Sequence, residues 1–385
     1  MKILFLSSSL GAGGAERVAT TLCNAWSDRG DDVTLISTFS GGGQSFYRVA
    51  DGVELLSLAD FTPGAKKNLA GYFRRGRALR RLVAQRQPDV LVSFLPNVNI
   101  AAIVALRTLN VPLIICERTD PSSCPAPVAL RTACRLVYRF ADLLSVQTES
   151  VAAAAARHYP GVRRVAAVPN PLPPGLLEHV RRGHPGRRIL LSLGRLSAEK
   201  QVAKLISAFA AVAGRFDDWD LHIYGDGPLK DELQAQIALG GLSGRVMLHG
   251  MTSRPWEVMA SADAFVMTSQ YEGFPNAMLE AMGVGLPCVA FDCPSGPREL
   301  SGEGSDAMLV PLNDEPGLRA ALAELMGNEA LRLSLGMRAR EAVIGKYGLA
   351  SVLERWDRLF RQVGAPARRT LRGEAGMSLI KDEAI

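Results

Sequence analysis

Short apolar runs alternate with amphipathic stretches along almost the whole chain. In the first half the runs fall at residues 3–6, 33–37, 53–58, 90–94, 113–116, 143–146 and 165–168, and helical periodicity fills most of the gaps. In the second half they fall at 189–193, 221–224, 246–249, 264–267, 288–290 and 308–310. Runs without polar alternation predict strands covered on both faces, and their alternation with helices predicts parallel sheets. The rhythm restarts near residue 188, after a stretch at 169–188 rich in Pro, Gly and Arg that reads as a linker. The expected organisation is a first α/β domain at 1–183, a second at 184–345, a helix at 346–364 and a mobile tail over 365–385. Two doubly wound domains of similar size place a ligand in the cleft between them, at the carboxyl ends of the strands.

Composition narrows this without redirecting it. The chain has 385 residues, of which 48% are hydrophobic and 21% charged, so both domains can bury a core and wholesale disorder is excluded. Six cysteines show no C-x-x-C spacing, which fits ordinary thiols in a reducing compartment and neither a disulfide framework nor a zinc site. No apolar run approaches the ~20 residues of a membrane span. The opening run from Lys2 to Leu6 is short for a signal peptide and leads into a glycine loop, so it reads as a buried first strand. These features point to a cytoplasmic protein. Charge adds a direction. The net +6 is uneven: residues 1–185 carry 22 basic and 13 acidic side chains, or 22 − 13 = +9, and the remainder sum to −3. The first half is expected to meet something anionic.

Three motifs carry chemistry. Gly11-Ala-Gly-Gly-Ala-Glu-Arg17 follows the first run and opens a helix, where glycines let the backbone approach a ligand and free N–H groups attract a phosphate. Glu16 stands where a dinucleotide fingerprint needs Gly or Ala, and no Lys-Ser/Thr follows for a Walker loop. Gly194-Arg-Leu-Ser-Ala-Glu-Lys200 places two cations beside a helix start, a combination suited to a diphosphate. Glu272-Gly-Phe-Pro-Asn-Ala-Met-Leu-Glu280 sets two carboxylates eight positions apart across a strand-to-helix turn. A carboxylate can accept two hydrogen bonds at once, as vicinal ribose hydroxyls require.

With Tyr224-Gly-Asp-Gly-Pro228 and the stretch from Asp292 to Glu299, these motifs resemble, in order and spacing, the retaining glycosyltransferases of family four. The chain is similar, more narrowly, to the branch that builds bacterial exopolysaccharide and lipid-linked glycans, over about residues 1–363. The resemblance implies a GT-B fold, two Rossmann-like domains facing across a cleft. It implies a nucleotide-sugar substrate, a UDP-sugar, with no separate cofactor, and a membrane-linked saccharide acceptor. Arg195 and Lys200 would hold the diphosphate and Glu280 the ribose. Glu272 and the backbone of Gly273 and Phe274 would face the donor sugar, and the backbone near Met251 the base. Gly13 and Gly14 would approach the phosphate from the first domain, and the C-terminal helix would cross back onto that domain. Glu117 and Arg118 stand where many members carry a catalytic-site histidine, on the acceptor side. Pro275 removes an N–H where many members have Gly. An epimerase or hydrolase on the same fold is the alternative activity.

Other signals carry less. Asp218-Trp-Asp220 spells a metal-binding D-x-D but precedes its strand, away from the cleft, and the five histidines lack zinc spacing, so no metal is expected. The run from Lys66 to Arg86 is a basic amphipathic helix. Arg74, Arg75, Arg77 and Arg81 on it are candidates for contact with an anionic membrane surface, placing the enzyme peripherally on the cytoplasmic face. Nucleic acid is not expected, because no binding fold accompanies the basic residues.

Overall fold

The computed structural model describes residues 1–11, 13–38, 45–64, 68–122, 126–182 and 186–366. Lys66, Lys67, Cys124 and most of the expected tail lie outside the described residues. Among the described residues thirteen strands form two sheets. The first contains β1 (Lys2–Ser7), β2 (Asp32–Ser37), β3 (Val53–Ser57), β4 (Val90–Phe94), β5 (Leu113–Cys116), β6 (Leu143–Val146) and β7 (Val165–Ala167), in the order β3-β2-β1-β4-β5-β6-β7. The second contains β8 (Arg188–Leu193), β9 (Trp219–Tyr224), β10 (Val246–Gly250), β11 (Ala264–Met267), β12 (Cys288–Asp292) and β13 (Met308–Pro311), in the order β10-β9-β8-β11-β12-β13. Every pairing is parallel, as the unbroken apolar runs predict. Strand order reverses beside β1 in one sheet and beside β8 in the other. Those are the topological switch points at which doubly wound folds bind ligands.

Helices cover both faces. The first domain carries α1 (Gly14–Asp28), α2 (Leu69–Arg86), α3 (Pro96–Leu106), α4 (Val128–Val137) and α5 (Glu149–His158). The second carries α6 (Val202–Ala213), α7 (Lys230–Leu239), α8 (Pro255–Ser261), α9 (Asn276–Val284), the short α10 (Pro297–Leu300), α11 (Glu315–Gly327) and α12 (Glu329–Tyr347). Each sheet is sandwiched between two apolar clusters, so the molecule has four core layers. The described cysteines are all free and buried, and function as small apolar side chains.

The final helix, α13 (Leu349–Gln362), follows α12 after Gly348 alone. Val352, Leu353, Trp356, Leu359 and Phe360 recur at helical spacing and bury in the core of the first domain, whereas Ala339, Val343 and Tyr347 of α12 belong to the second. Helix α13 thus ties the two domains together. Trp356 meets Trp26 edge-on at 5.7 Å between ring centres, and Phe360 lies 5.5 Å from Trp26. Ala365 packs in the same core, so the helical tie extends to the start of the expected tail.

Part of the 169–188 stretch packs onto the second domain. Leu172 and Leu176 are buried in the second domain's core against α9, and the Leu172 N–H donates to the Tyr347 carbonyl at 2.8 Å. Two leucines among prolines carry too little periodicity to show this in sequence. On α2, Leu79, Leu82 and Val83 face inward as expected, but so does Arg75, whose side chain is buried and is therefore no part of a membrane-facing surface. The helical phase places position 75 on the same stripe as 79 and 82. Tyr72 and Phe73 are exposed beside Arg74, Arg77 and Arg81.

Removing the Trp356 ring should uncouple α13 from the first domain. Trp356→Ala is expected to cost about 3–5 kcal/mol, read as a fall in urea midpoint with little change in slope. A loss well under about 1 kcal/mol would show that α13 does not hold this core.

Candidate active site

The site is built on strand ends. The loops after β8, β9 and β10 are stitched by backbone bonds: Gly194 N–H to the Tyr224 carbonyl at 3.0 Å, Leu196 N–H to the Asp226 carbonyl at 3.0 Å, and Gly225 N–H to the Gly250 carbonyl at 2.8 Å. Gly225 has φ +146°, and a Cβ there would overlap the Gly194 carbonyl oxygen, so only glycine allows the β8 and β9 loops to meet. The stitched loops present Arg195 and Lys200. Arg195 is exposed. Lys200 closes a short 3₁₀ turn, and its carbonyl accepts the Thr268 hydroxyl at 2.9 Å from the end of β11.

Lys200 points at the first carboxylate of the third motif. Its Nζ lies 2.6 Å from Oε1 of Glu272, which also accepts the Ser269 hydroxyl at 2.6 Å. The Ser295 hydroxyl donates to the Glu272 carbonyl at 2.6 Å, so the Asp292–Glu299 stretch braces this loop from β12. The structure therefore joins Lys200 to Glu272 directly, with Arg195 outside that pair. Met251 follows β10 with its side chain exposed. The Phe274 side chain is buried in the second domain's core, leaving only its backbone at the loop.

Glu280 sits one turn inside α9 and is fully buried. The indole N–H of Trp256, on α8, donates to its Oε2 at 2.9 Å, and Arg17 of α1 pairs with its Oε1 from the opposite domain. Burial pushes the Glu280 carboxyl up, against the Arg17 charge and the Trp256 bond. Arg17 belongs to the glycine motif, but its partner is 263 positions away and no local pattern reveals it. Trp256 stands in no motif at all.

The first domain closes on this face. Gly273 lies so near the Arg118 carbonyl that a Cβ would overlap it. Gly14 faces the Asn276 side chain across the same seam. Asn276 accepts from the amide of Asn170 at 2.7 Å, and Asn170 in turn accepts from Arg118. Arg118 is buried, with its guanidinium 4.1 Å above the Phe94 ring. Burial lowers its pKa to about 10. Gly13 precedes α1, and the Glu16 carboxylate folds back over it to accept the Ser9 hydroxyl at 2.7 Å.

Glu117 points the other way. Its carboxylate accepts the Tyr138 hydroxyl in a buried network; Asn99 donates to Tyr138 at 3.2 Å and accepts from Ser93 at 2.8 Å. The adjacent positions 117 and 118 thus diverge, Arg118 to the seam and Glu117 into the layer beneath α3 and α4, as alternation at a strand end requires. Asp220 is engaged by Arg187 and Arg245, and Asp218 by Arg188, at the amino end of β9. Among the described residues no cluster of His, Cys, Asp and Glu could hold a metal ion.

Two parallel-sheet domains that meet across glycine loops and a seam of buried charges define a GT-B architecture. Comparisons with known proteins agree and add the family. A profile described as "Glycosyl transferase 4-like domain" matches residues 13–171, and one described as "Glycosyl transferases group 1" matches residues 178–342. The chain belongs to the glycosyltransferases that combine these two domains.

Among curated relatives, a Campylobacter jejuni GalNAc-alpha-(1->4)-GalNAc-alpha-(1->3)-diNAcBac-PP-undecaprenol alpha-1,4-N-acetyl-D-galactosaminyltransferase is 28% identical over 94% of this chain and 99% of its own. A Streptomyces coelicolor exopolysaccharide phosphotransferase is 37% identical over 52% of this chain, which spans only 21% of that longer protein. Among solved structures, a Staphylococcus aureus TarM mutant in complex with fondaparinux, alpha-GlcNAc-glycerol and UDP has a TM-score of 0.77 at 15% identity, covering 94% of this chain and 100% of its own.

Burial drives the Glu117 carboxyl up to about 7, although the Tyr138 bond works in the opposite direction. An unfolded glutamate titrates near ~4.3. The folded state therefore binds the proton more tightly, and the stability this contributes is complete below the unfolded value and lost as pH rises through 7. Glu117→Gln should flatten the decline of urea midpoint between about pH 5 and pH 7. An unchanged slope would assign that decline to other groups.

Proposed function

We propose that this enzyme is a retaining glycosyltransferase that moves a hexose or N-acetylhexosamine from a UDP-sugar to a membrane-linked saccharide in surface-glycan synthesis. The observation that carries the reading is the convergence of Lys200, Glu272 and Glu280 at the strand ends of one domain, facing the glycine loop of the other. Arg195 and Lys200 would take the donor diphosphate, Glu280 the ribose hydroxyls, and Glu272 with the backbone of Gly273 and Phe274 the sugar. The loop at Met251 would meet the base, and Gly13 and Gly14 the phosphate. UDP is supported by its presence in the TarM complex, and a lipid-linked acceptor by the undecaprenol-linked acceptor of the Campylobacter relative.

In this reading, departure of the nucleoside diphosphate builds charge on its terminal phosphate. Arg195, Lys200 and the N-termini of α1 and α9 would stabilise that charge without a metal. The cations already present, and the engagement of Asp218 and Asp220 by arginines at the far end of β9, support metal independence. Lys200 balances Glu272 before the donor enters, so the carboxylate is not left uncompensated in the cleft. Substitution from the front face would pass the acceptor proton to the leaving phosphate. Glu117 is bonded to Tyr138 beneath the sheet, which favours a structural role for it and leaves Arg118 as the acceptor-side candidate.

A membrane-linked acceptor calls for a docking face. Helices α2, α3 and α4 contain no Asp or Glu. They present exposed Arg74, Arg77 and Arg81, with Arg131 and Arg135 on α4, beside exposed Tyr72, Phe73 and Leu136. Aromatic and basic side chains on one face suit the headgroup region of an anionic bilayer. Among the described residues no helix is long and apolar enough to cross a membrane, and the basic face of α2 would attach the enzyme peripherally, at the cytoplasmic face.

With a UDP-sugar and a lipid-linked acceptor, the product should keep the donor's anomeric configuration by NMR, and turnover should survive EDTA. Arg195→Ala and Lys200→Ala should each lower turnover about 100-fold. An inverted product, or wild-type kinetics in both folded variants, would overturn the assignment. Replacing Arg74, Arg77 and Arg81 by Gln should weaken sedimentation with anionic vesicles, at about 1 kcal/mol per charge. Activity on a short soluble acceptor should be little changed. Equal sedimentation of variant and wild type at low salt would leave α2 a scaffold helix only.

A further inference from the structure

We propose that Arg17 is a donor-binding residue supplied by the first domain: it is held by Glu280 in the donor-free enzyme and passes to the donor diphosphate when the ribose takes that carboxylate. This rests on the reading of Glu280 as the ribose acceptor. Helices α1 and α9 lie side by side at their N-termini, with Gly14 opposite the Asn276 side chain and Arg17 opposite Glu280 one turn further in. Both helix starts direct their positive dipole ends at the same part of the cleft, a field suited to a diphosphate.

The Glu280 carboxylate has one oxygen fixed by Trp256 and the other occupied by Arg17. A vicinal diol donates one hydroxyl to each oxygen. Trp256 supplies a single N–H to Oε2, and Arg17 stands on Oε1, where it competes with the ribose hydroxyl that oxygen would accept. Donor entry therefore displaces Arg17. Paired with Glu280, the Arg17 side chain is only 22% exposed, and leaving a cation there without an anion is costly. The acid next to it in sequence is not available, because Glu16 is folded over Gly13 and bonded to Ser9. The ligand that removes Arg17 from Glu280 carries its own anion, the diphosphate, to the same helix ends. Exchange of partners keeps Arg17 paired throughout. The same exchange breaks a cross-domain ion pair and remakes it through the donor, so the cleft stays bridged once the donor is bound.

The test compares UDP with uridine, which shares the base and ribose but lacks the diphosphate, using the full chain as wild type, Arg17→Ala and Arg17→Lys. UDP affinity is measured by calorimetry and uridine affinity by ligand-observed NMR. In Arg17→Ala, UDP should bind at least about 10-fold more weakly, the scale of one lost charge-assisted contact. Uridine should bind as well as to the wild type or better, because its competitor for Glu280 is gone. Arg17→Lys should recover part of the UDP affinity. A variant that merely loosened the domains would weaken both ligands together, and that result would overturn the proposal, as would unchanged UDP binding. Should Arg17→Ala fail to fold, Arg17→Gln removes the charge at nearly constant shape and is judged by the same split. If the wild type binds neither UDP nor uridine, the reading of Glu280 as a uridine-nucleotide site fails, and the exchange fails with it. That outcome is separate from one in which UDP binds and Arg17 has no effect on it.

Discussion

The contact between the Gly273 backbone and the Arg118 carbonyl sets how closely the two domains meet, and most of the cleft depends on it. A side chain at 273 would hold the domains apart at the loop that carries Glu272. With glycine there, Arg118 reaches Asn170, Asn170 reaches Asn276, and Gly14 faces the start of α9. None of these groups is near its partner in sequence. Each depends on the strand ends of the two sheets being brought face to face, and α13 packs into the first domain's core directly after α12 of the second.

Both carboxylates of the third motif carry a cation in the structure: Lys200 stands against Glu272 and Arg17 against Glu280. Buried charge is tolerated only when paired and hydrogen-bonded. On the proposed reading, the site has to keep cations available for a diphosphate without leaving them uncompensated in its absence. Internal ion pairs that ligand groups can replace meet that requirement. Glu117 follows a different rule: it lies beneath the sheet with Tyr138 as its partner, where burial favours its neutral form.

The α/β class, the two-domain division, the strand positions and the three cleft motifs were legible in the sequence. Parallel strands buried on both faces leave unbroken apolar runs, and the observed strands coincide with the expected ones to within one or two residues. Glycine loops and a fixed Glu-to-Glu spacing are local as well, because one turn and one helix suffice to position them. The basic helix was legible as amphipathic, but its phase was not. Arg75 shares the inward stripe with Leu79 and Leu82, while Tyr72 and Phe73 face outward, and only packing against the sheet decides which stripe is covered.

By itself the sequence determined what short-range periodicity and spacing encode: the elements, their burial pattern, the loops that carry Arg195, Lys200 and Glu272, and the helix that carries Glu280. The tertiary structure alone decided their partners. Arg17 with Glu280, Trp256 with the same carboxylate, Arg118 with Asn170, and Leu172 and Leu176 with α9 are contacts between segments that no local pattern connects. The physical reason is that pairing energies act through space at a few ångströms. The sequence places a charge on a loop, and the packing of the two domains determines which opposite charge it meets.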